Sequence, residues 1–238
     1  MSIPSNLEVV KPRRRYDSNL RQAQAAQTRE GIVAAALDLF LDRGYLGTTM
    51  AAIAEAAGVA VETIYRAFGG KAALFKLVVE AAVAGGAARA AVPVEQRPAI
   101  KSMIEEQDPG RLLERHAATQ PGIHARAGPL YRVLKEAAAG EPGLEQVWAQ
   151  LEAQRLDGMR SIARLLSDRG ALRPGLSLWE AADILWTINS LAVYDLLVVQ
   201  RGWPPKRYRG WIAATNAQAI LAGGVKPIPP RASKRGGQ

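Results

Sequence analysis

The charged and hydroxyl side chains best placed to bind another molecule lie together in one short helix, predicted over residues 60–68. At about 100° per residue, Ile64 and Phe68 share one face of this helix. The opposite face carries charged and hydroxyl side chains: Glu62, Thr63, Tyr65 and Arg66. A guanidinium can bind guanine, a carboxylate can accept from cytosine, and hydroxyls can bind phosphates. This face therefore predicts contacts with both the base edges and the backbone of duplex DNA.

The same spacing also permits a simpler interpretation. Glu62 and Arg66 stand four residues apart and can form a surface ion pair worth a few tenths of a kcal/mol. Residues 28–72 hold four basic and five acidic residues, so this segment is not itself a basic patch. Spacing alone leaves both interpretations open, and another basic segment would have to supply much of the attraction to phosphate.

The elements that must position this helix are well marked. Apolar residues recur at helical spacing from Ile32 to Phe40, and Arg43 and Gly44 are typical of a helix end. A short helix is predicted over Met50 to Ala57, with Thr49 as an N-cap and Gly58 as its end. Helix, short helix, glycine turn and helix form the helix-turn-helix pattern. A fourth helix is predicted from Lys71 to about Ala84.

This stretch resembles the N-terminal signature of the TetR family of transcriptional regulators in residue type and in spacing. The matching residues cover about a fifth of the chain: Arg29, Ile32, Ala36, Phe40, Gly44-Tyr45, Thr48-Thr49, Ile53-Ala54, Ala57-Gly58-Val59, Thr63-Ile64-Tyr65, Phe68, Lys71 and Leu74. Ala60, Ala67 and Gly70 depart from the polar residues that are common at their positions.

The resemblance implies a role for each matching position. Thr49, Thr63 and Tyr65 correspond to residues that bind phosphates, and so does Lys71 at the head of the fourth helix. Thr49 can serve equally as an N-cap. Val61, Glu62 and Arg66 correspond to positions that contact bases. The fourth helix is implied to link the DNA-binding unit to a body that binds a ligand.

Basic residues are concentrated at the two ends of a chain whose net charge is +9. Residues 1–30 carry six basic and three acidic residues, and residues 226–238 carry four basic residues and no acid. Arg13, Arg14 and Arg15 are candidates for an arm that enters the minor groove. A merely solvated tail explains them as well.

The rest of the chain also has helical periodicity, which predicts an all-α fold. Asp108-Pro109 marks one helix start, and Pro121 and Pro142 are each placed in a first turn. Ser177 and Glu180 form a capping box before a single long helix predicted from Leu178 to about Arg201. A last helix is predicted from Pro205 to about Ala222.

Four segments follow from this reading. Residues 1–22 form a basic arm expected to be disordered, and residues 23–70 a helix-turn-helix DNA-binding domain. Residues 71–224 form a larger helical domain for effector binding and dimerisation, and residues 225–238 a second disordered basic tail. The resemblance implies that the last two long helices of each subunit pack into a four-helix dimer interface. Two heads about 34–36 Å apart would then read a palindrome.

The resemblance also implies a largely apolar pocket for a small effector in the body. The polar and aromatic candidates for its lining are His116, His124, Tyr131, Trp148, Trp186 and Asn189. On one continuous helix, Asn189 would be surrounded by apolar residues that include Leu185 and Leu196. A buried amide or a lone histidine can equally be a satisfied structural group, so both roles stay open.

Several functions find no support in the residues. The chain has no cysteine and only two histidines, and no spacing suits a metal site, a catalytic triad or a phosphate loop. We therefore expect no enzyme, no cofactor and no metal. No uninterrupted apolar run reaches about 18 residues, so we expect no membrane span and a cytoplasmic protein. An architectural DNA-binding protein without an effector remains the alternative to a ligand-responsive dimeric regulator.

Overall fold

The computed structural model describes residues 14–138 and 140–223, and its regular elements are all helical. Leu172 and Leu221 form an isolated antiparallel β-bridge. The α-helices are α1 (Arg14–Arg43), α2 (Met50–Ala57), α3 (Val61–Phe68), α4 (Lys71–Ala84), α5 (Ala87–Ala90), α6 (Pro98–Glu105), α7 (Pro109–Ala138), α8 (Pro142–Asp168), α9 (Leu178–Ile188), α10 (Leu191–Tyr194) and α11 (Pro205–Ile220). A 3₁₀ turn spans Val94–Gln96, and a π-helical segment spans Asp195–Gln200. The predicted all-α architecture is confirmed.

The first three helices are joined by turns that glycine makes possible. Gly44 after α1 has φ +68°, and Gly58 after α2 has φ +66°, a left-handed conformation that side chains with a Cβ rarely adopt. The N–H groups of Gly58 and Val59 both bond to the Ala54 carbonyl, which closes α2. The sharp turn that follows sets the direction in which α3 leaves the unit.

The head, defined here as α1 to α3, shares one hydrophobic core with the body. The core contains Ile32 and Phe40 of α1, Ile64 of α3 and Phe75 of α4, and it continues through α7 to Leu151 of α8. Two smaller clusters lie farther along the body among α6 to α11. The boundary predicted at residue 70 therefore lies within one packed core.

The helix predicted from 178 to 201 is interrupted, so the single-helix prediction was wrong. Asn189 donates its side-chain Nδ2 to the Leu185 carbonyl at 2.7 Å, and Ser190 accepts from the Val193 N–H and starts a new helix. Side chains that bond to nearby backbone in this way compete with the helical ladder. Leu196, predicted to lie beside Asn189, is instead 54% exposed, because the break and the wider π turn change the facing of the later residues.

Two other expectations need correction. Pro121 lies inside α7 rather than in a first turn. Proline has no backbone N–H, so one hydrogen bond of the helix is missing at this point. Just before Pro121, the Thr119 hydroxyl donates to the His116 carbonyl. α1 begins at Arg14, within the arm for which disorder was expected. No proline and only one glycine occur between Arg14 and Arg43, so little opposes extension of the helix.

One stretch of the body, Leu178–Gln200, has the length and apolar composition of a membrane-crossing helix. It is poorly covered in the monomer, and Trp179 (60%) and Val199 (58%) are largely exposed together with Leu196. Exposed apolar side chains on this scale usually mark a surface that another molecule covers.

Candidate DNA-reading helix and effector cavity

Helix α3 presents the two faces that its periodicity predicts. Ile64 is fully buried and Phe68 is 7% exposed, whereas Tyr65 is 51% exposed. Glu62 and Arg66 are exposed beside Tyr65, and Val61 and Thr63 are half-buried at the margins. No ion pair links Glu62 to Arg66 among the described residues, so the guanidinium is available to an external partner.

The start of α2 is fixed by two neighbouring threonines with different tasks. Thr49 accepts from the Ala52 N–H at 3.1 Å and therefore acts as the N-cap, while its side chain stays exposed. Thr48 is fully buried, and its hydroxyl contacts the carbonyl oxygens of Gly44 (2.7 Å) and Leu39 (3.0 Å). Neither Ala60 before α3 nor Gly70 before α4 supplies a side-chain cap, as the sequence departures imply.

Lys71 is held inside the protein more tightly than the sequence indicated. Its Nζ donates to the carbonyl oxygens of Tyr45 and Thr48, both at 3.0 Å, and lies 4.1 Å from the centre of the Tyr45 ring. An ammonium has three N–H donors, so one remains beyond these two hydrogen bonds. Lys71 thus joins the first turn of α4 to the loop that precedes α2.

Two arginines make connections that sequence reasoning missed. Arg29 of α1 donates to the carbonyl of Ala67 at the end of α3 and stacks 4.4 Å above the Phe68 ring. Arg126 of α7 donates to the Ala82 carbonyl at 2.9 Å, near the end of α4. The signature residue Arg29 could have been suspected, but nothing in the sequence singles out Arg126.

Arg126 and Lys71 together fix the two ends of α4. Lys71 attaches its beginning to the head, and Arg126 attaches its end to the body. Helix α7 is therefore connected to the head through direct hydrogen bonds as well as through the shared core.

A cavity of about 950 Å³ lies between the head and the body. Its walls come from α1, α4, α5, the 3₁₀ turn with Arg97 after it, α7, α8 and the break between α9 and α10. Within it lie three of the six predicted pocket residues: His124, Tyr131 and Asn189. The volume is at the upper end of the range typical of small-molecule sites.

The other three predicted residues lie outside this lining. His116 is buried one turn before Gln120, with 3.1 Å between its Nε2 and the Gln120 Nε2. Trp148 packs edge-on against Tyr131 at 5.9 Å. The Trp186 ring lies 4.3 Å below the guanidinium of Arg155, which also donates to the Trp186 carbonyl.

Burial controls the protonation of two residues of the cavity wall, His124 and Tyr131, and of His116 outside it. It lowers the pKa of His116 and of His124 to about 4, and it raises the pKa of Tyr131 to about 12. All three side chains are therefore uncharged near neutral pH. Among the described residues, no group of three or more metal-ligating side chains is suitably arranged for an ion.

Residues 32–78 match the family described as "Bacterial regulatory proteins, tetR family". These are the residues that form most of the head and the first half of α4, including the exposed face of α3. The N-terminal part of the chain is therefore similar to the DNA-binding segment of TetR-family proteins. The protein is a DNA-binding transcriptional regulator with a helix-turn-helix head and a helical C-terminal body.

Similarity to TetR-family proteins continues beyond the head. The chain is 28% identical over 207 residues to the HTH-type transcriptional repressor BepR of Brucella suis biovar 1 (strain 1330), an alignment that covers 84% of this chain and 95% of that protein. The fold resembles NalD, the secondary repressor of the MexAB-OprM multidrug efflux pump in Pseudomonas aeruginosa (TM-score 0.65, 21% identity, 84% of this chain and 98% of NalD). It also resembles a TetR-family protein from Mesorhizobium loti MAFF303099 (TM-score 0.61, 22% identity, 81% and 94% covered).

Proposed function

We propose that this protein is a dimeric repressor that reads a palindromic operator with α3 and is released by a small effector bound in the cavity. The observation that carries the proposal is the pairing of two sites: a helix whose polar face is free, and a cavity that reaches the same head. A large cavity argues against a purely architectural DNA-binding role. The repressors named above support a role in blocking transcription, and we place the protein in the cytoplasm, where its DNA is found.

In the proposed complex, Arg66 and Glu62 contact base edges together with Val61. Thr63, Tyr65 and the exposed hydroxyl of Thr49 bind phosphates, and so does the remaining N–H of Lys71. Arg14 and Arg15 form the first residues of α1, while Arg13 and the tail beyond residue 223 lie outside the described residues. We retain these three arginines as a proposed arm for the minor groove.

The proposed dimer interface is the exposed apolar surface of Trp179, Leu196 and Val199. In one subunit it leaves large apolar side chains in water, which a second copy would cover. A dimer also explains how a helix as short as α3 can recognise an operator, because two heads make twice as many base contacts as one.

Release requires an effector that binds the two head positions with different affinity. Because the cavity is lined by residues of α1 and α4 as well as of the body, a ligand that fills it changes the packing of the head directly. Arg126 and Lys71 then carry any movement of α7 along α4.

The test is selection of bound sequences from random duplex DNA by the wild type, by Arg66→Ala and by Arg164→Ala. Arg164 is exposed on α8, away from the head, and serves as the matched control. We expect an enriched inverted repeat for the wild type and the control. Arg66→Ala should relax the preference at one base pair per half-site and weaken binding about 10- to 100-fold per head. Equal, salt-sensitive binding of every sequence would refute the proposal in favour of an architectural role.

A further inference from the structure

The inner end of the cavity contains a buried polar group without a partner. His124 on α7 is 7% exposed and lines the cavity beside Gln120 and Asn189. Its Nε2 has no hydrogen-bond partner among the described residues. A buried polar atom left unpaired costs about 1–3 kcal/mol, so native proteins normally satisfy such groups with protein, water or ligand.

The surroundings of His124 keep its ring neutral. Burial lowers its pKa to about 4, the nearby positive charge of Arg155 on α8 acts in the same direction, and a backbone hydrogen bond with Asn189 opposes them. Tyr194 and Tyr208 face the ring with centroids 5.1 and 6.3 Å away. A neutral imidazole has one donor nitrogen and one acceptor nitrogen.

The ring leaves one nitrogen for a ligand. Nε2 of His124 is a buried atom without a partner, and Nδ1 is not. With the ring proton on Nδ1, on the side of the Asn189 backbone, Nε2 is a free acceptor. The position calls for a ligand group that donates a hydrogen bond.

The charges of the cavity wall disfavour an anionic ligand. The lining includes five acidic residues, namely Glu30, Glu80, Glu95, Glu152 and Asp157, against three arginines. Each arginine already has protein partners. Arg29 donates to the Ala67 carbonyl, Arg97 to those of Ala90 and Val92, and Arg155 to Glu152 and the Trp186 carbonyl. Three of the five acids are likewise ion-paired, Glu80 with Lys76, Glu152 with Arg155 and Asp157 with Arg160. A carboxylate would therefore meet only arginines that already have partners, and an ammonium at His124 would meet the positive charge of Arg155.

We propose that the cavity takes an uncharged, largely apolar molecule with a hydroxyl group, of the phenol class, whose O–H donates to Nε2 of His124. This inference rests on the proposed effector function and specifies its ligand. The hydroxyl occupies the polar inner end, and the apolar part extends between α4, α7 and α8, where Leu77 and Ala127 contribute to the wall.

The test uses four matched probes: para-phenylphenol, biphenyl, biphenyl para-carboxylate and para-aminomethyl-biphenyl. Their dissociation constants are measured by equilibrium dialysis against the full-length protein without DNA. His124→Leu removes the acceptor, and His124→Gln restores a side chain that can accept. His116→Leu is the control, because His116 is an equally buried histidine of α7 that does not line the cavity.

We expect His124→Leu to weaken binding of para-phenylphenol about tenfold relative to biphenyl, and His124→Gln to recover part of that difference. In His116→Leu the ratio of the two affinities should stay within about twofold of wild type. Tighter binding of the carboxylate or the ammonium probe than of the phenol would overturn the inference. The same holds for an equal loss of phenol and biphenyl binding in His124→Leu, or for no binding of any probe.

The two proposals fail in distinguishable ways. The dialysis uses no DNA, so loss of sequence-selective DNA binding would refute the proposed function while leaving the ligand class standing. If the protein binds its inverted repeat and is released by an anion, the proposed function is supported and the proposed ligand class is refuted.

Discussion

Replacing Lys71 by methionine should destabilise the head in the absence of DNA. The change keeps an unbranched side chain of similar length but removes two hydrogen bonds from a charged donor, each 3.0 Å long, and one cation–π contact at 4.1 Å. Hydrogen bonds with a charged partner contribute about 1.5–3 kcal/mol each and the cation–π contact about 0.5–1 kcal/mol. Because Lys71 is only half-buried, we expect a total loss of about 2–3 kcal/mol in the free energy of unfolding.

The assay is urea unfolding followed by circular dichroism at one protein concentration, since dimerisation makes stability depend on concentration. Lys101→Met is the matched control. The Lys101 side chain is 66% exposed and its nearest carboxylate oxygen, on Glu105, is 3.8 Å away, so its loss should cost less than about 0.5 kcal/mol. If the free energy of unfolding of Lys71→Met lies within about 0.5 kcal/mol of the wild-type value, the contacts of Lys71 with Tyr45 and Thr48 do not stabilise the head and the prediction is refuted.

Two further outcomes are expected. The free energy of unfolding should be greatest above pH 6.5 and should fall progressively as the pH is lowered to about 4. In this range the two histidines take up protons in the unfolded chain, whereas in the folded protein buried His116 and His124 stay neutral. Each histidine contributes about 3 kcal/mol to this loss, and His116→Leu should make the decline in urea midpoint shallower. Ser177→Ala removes the cap whose Oγ accepts from the Glu180 N–H at 3.2 Å and should cost about 1 kcal/mol, whereas Ser161→Ala within α8 should be nearly neutral by thermal unfolding.

The head could be predicted in detail because its signals are local. Helical angle alone separates Ile64 and Phe68 from Arg66, and Gly44 and Gly58 both have the positive φ that their positions require. The capping box at Ser177 is likewise confirmed, with both reciprocal hydrogen bonds present. These features depend on residues within about one helical turn of one another.

The body could be predicted only in outline because its decisive contacts are distant in sequence. Arg126 meets the end of α4 more than forty residues away, and Arg155 meets Trp186 at a separation of 31. The break after α9 was missed because hydropathy predicts a continuous helix, while Asn189 and Ser190 bond to the neighbouring backbone instead. His124 was proposed for the pocket by residue type alone, and only the fold explains why His116 is not beside it in the lining.

The single core that runs from α1 to α8 has a consequence for exchanging parts between regulators. Arg66 and Glu62 of α3 are exposed, so they can be substituted without touching buried residues. Transplanting the whole head is a different matter, because Ile32 and Phe75 belong to one packed cluster with Leu130 and Leu151. A chimera that joins this head to a foreign body must carry matching side chains on α4, α7 and α8, and the natural boundary for exchange is therefore a packing surface rather than a point in the chain.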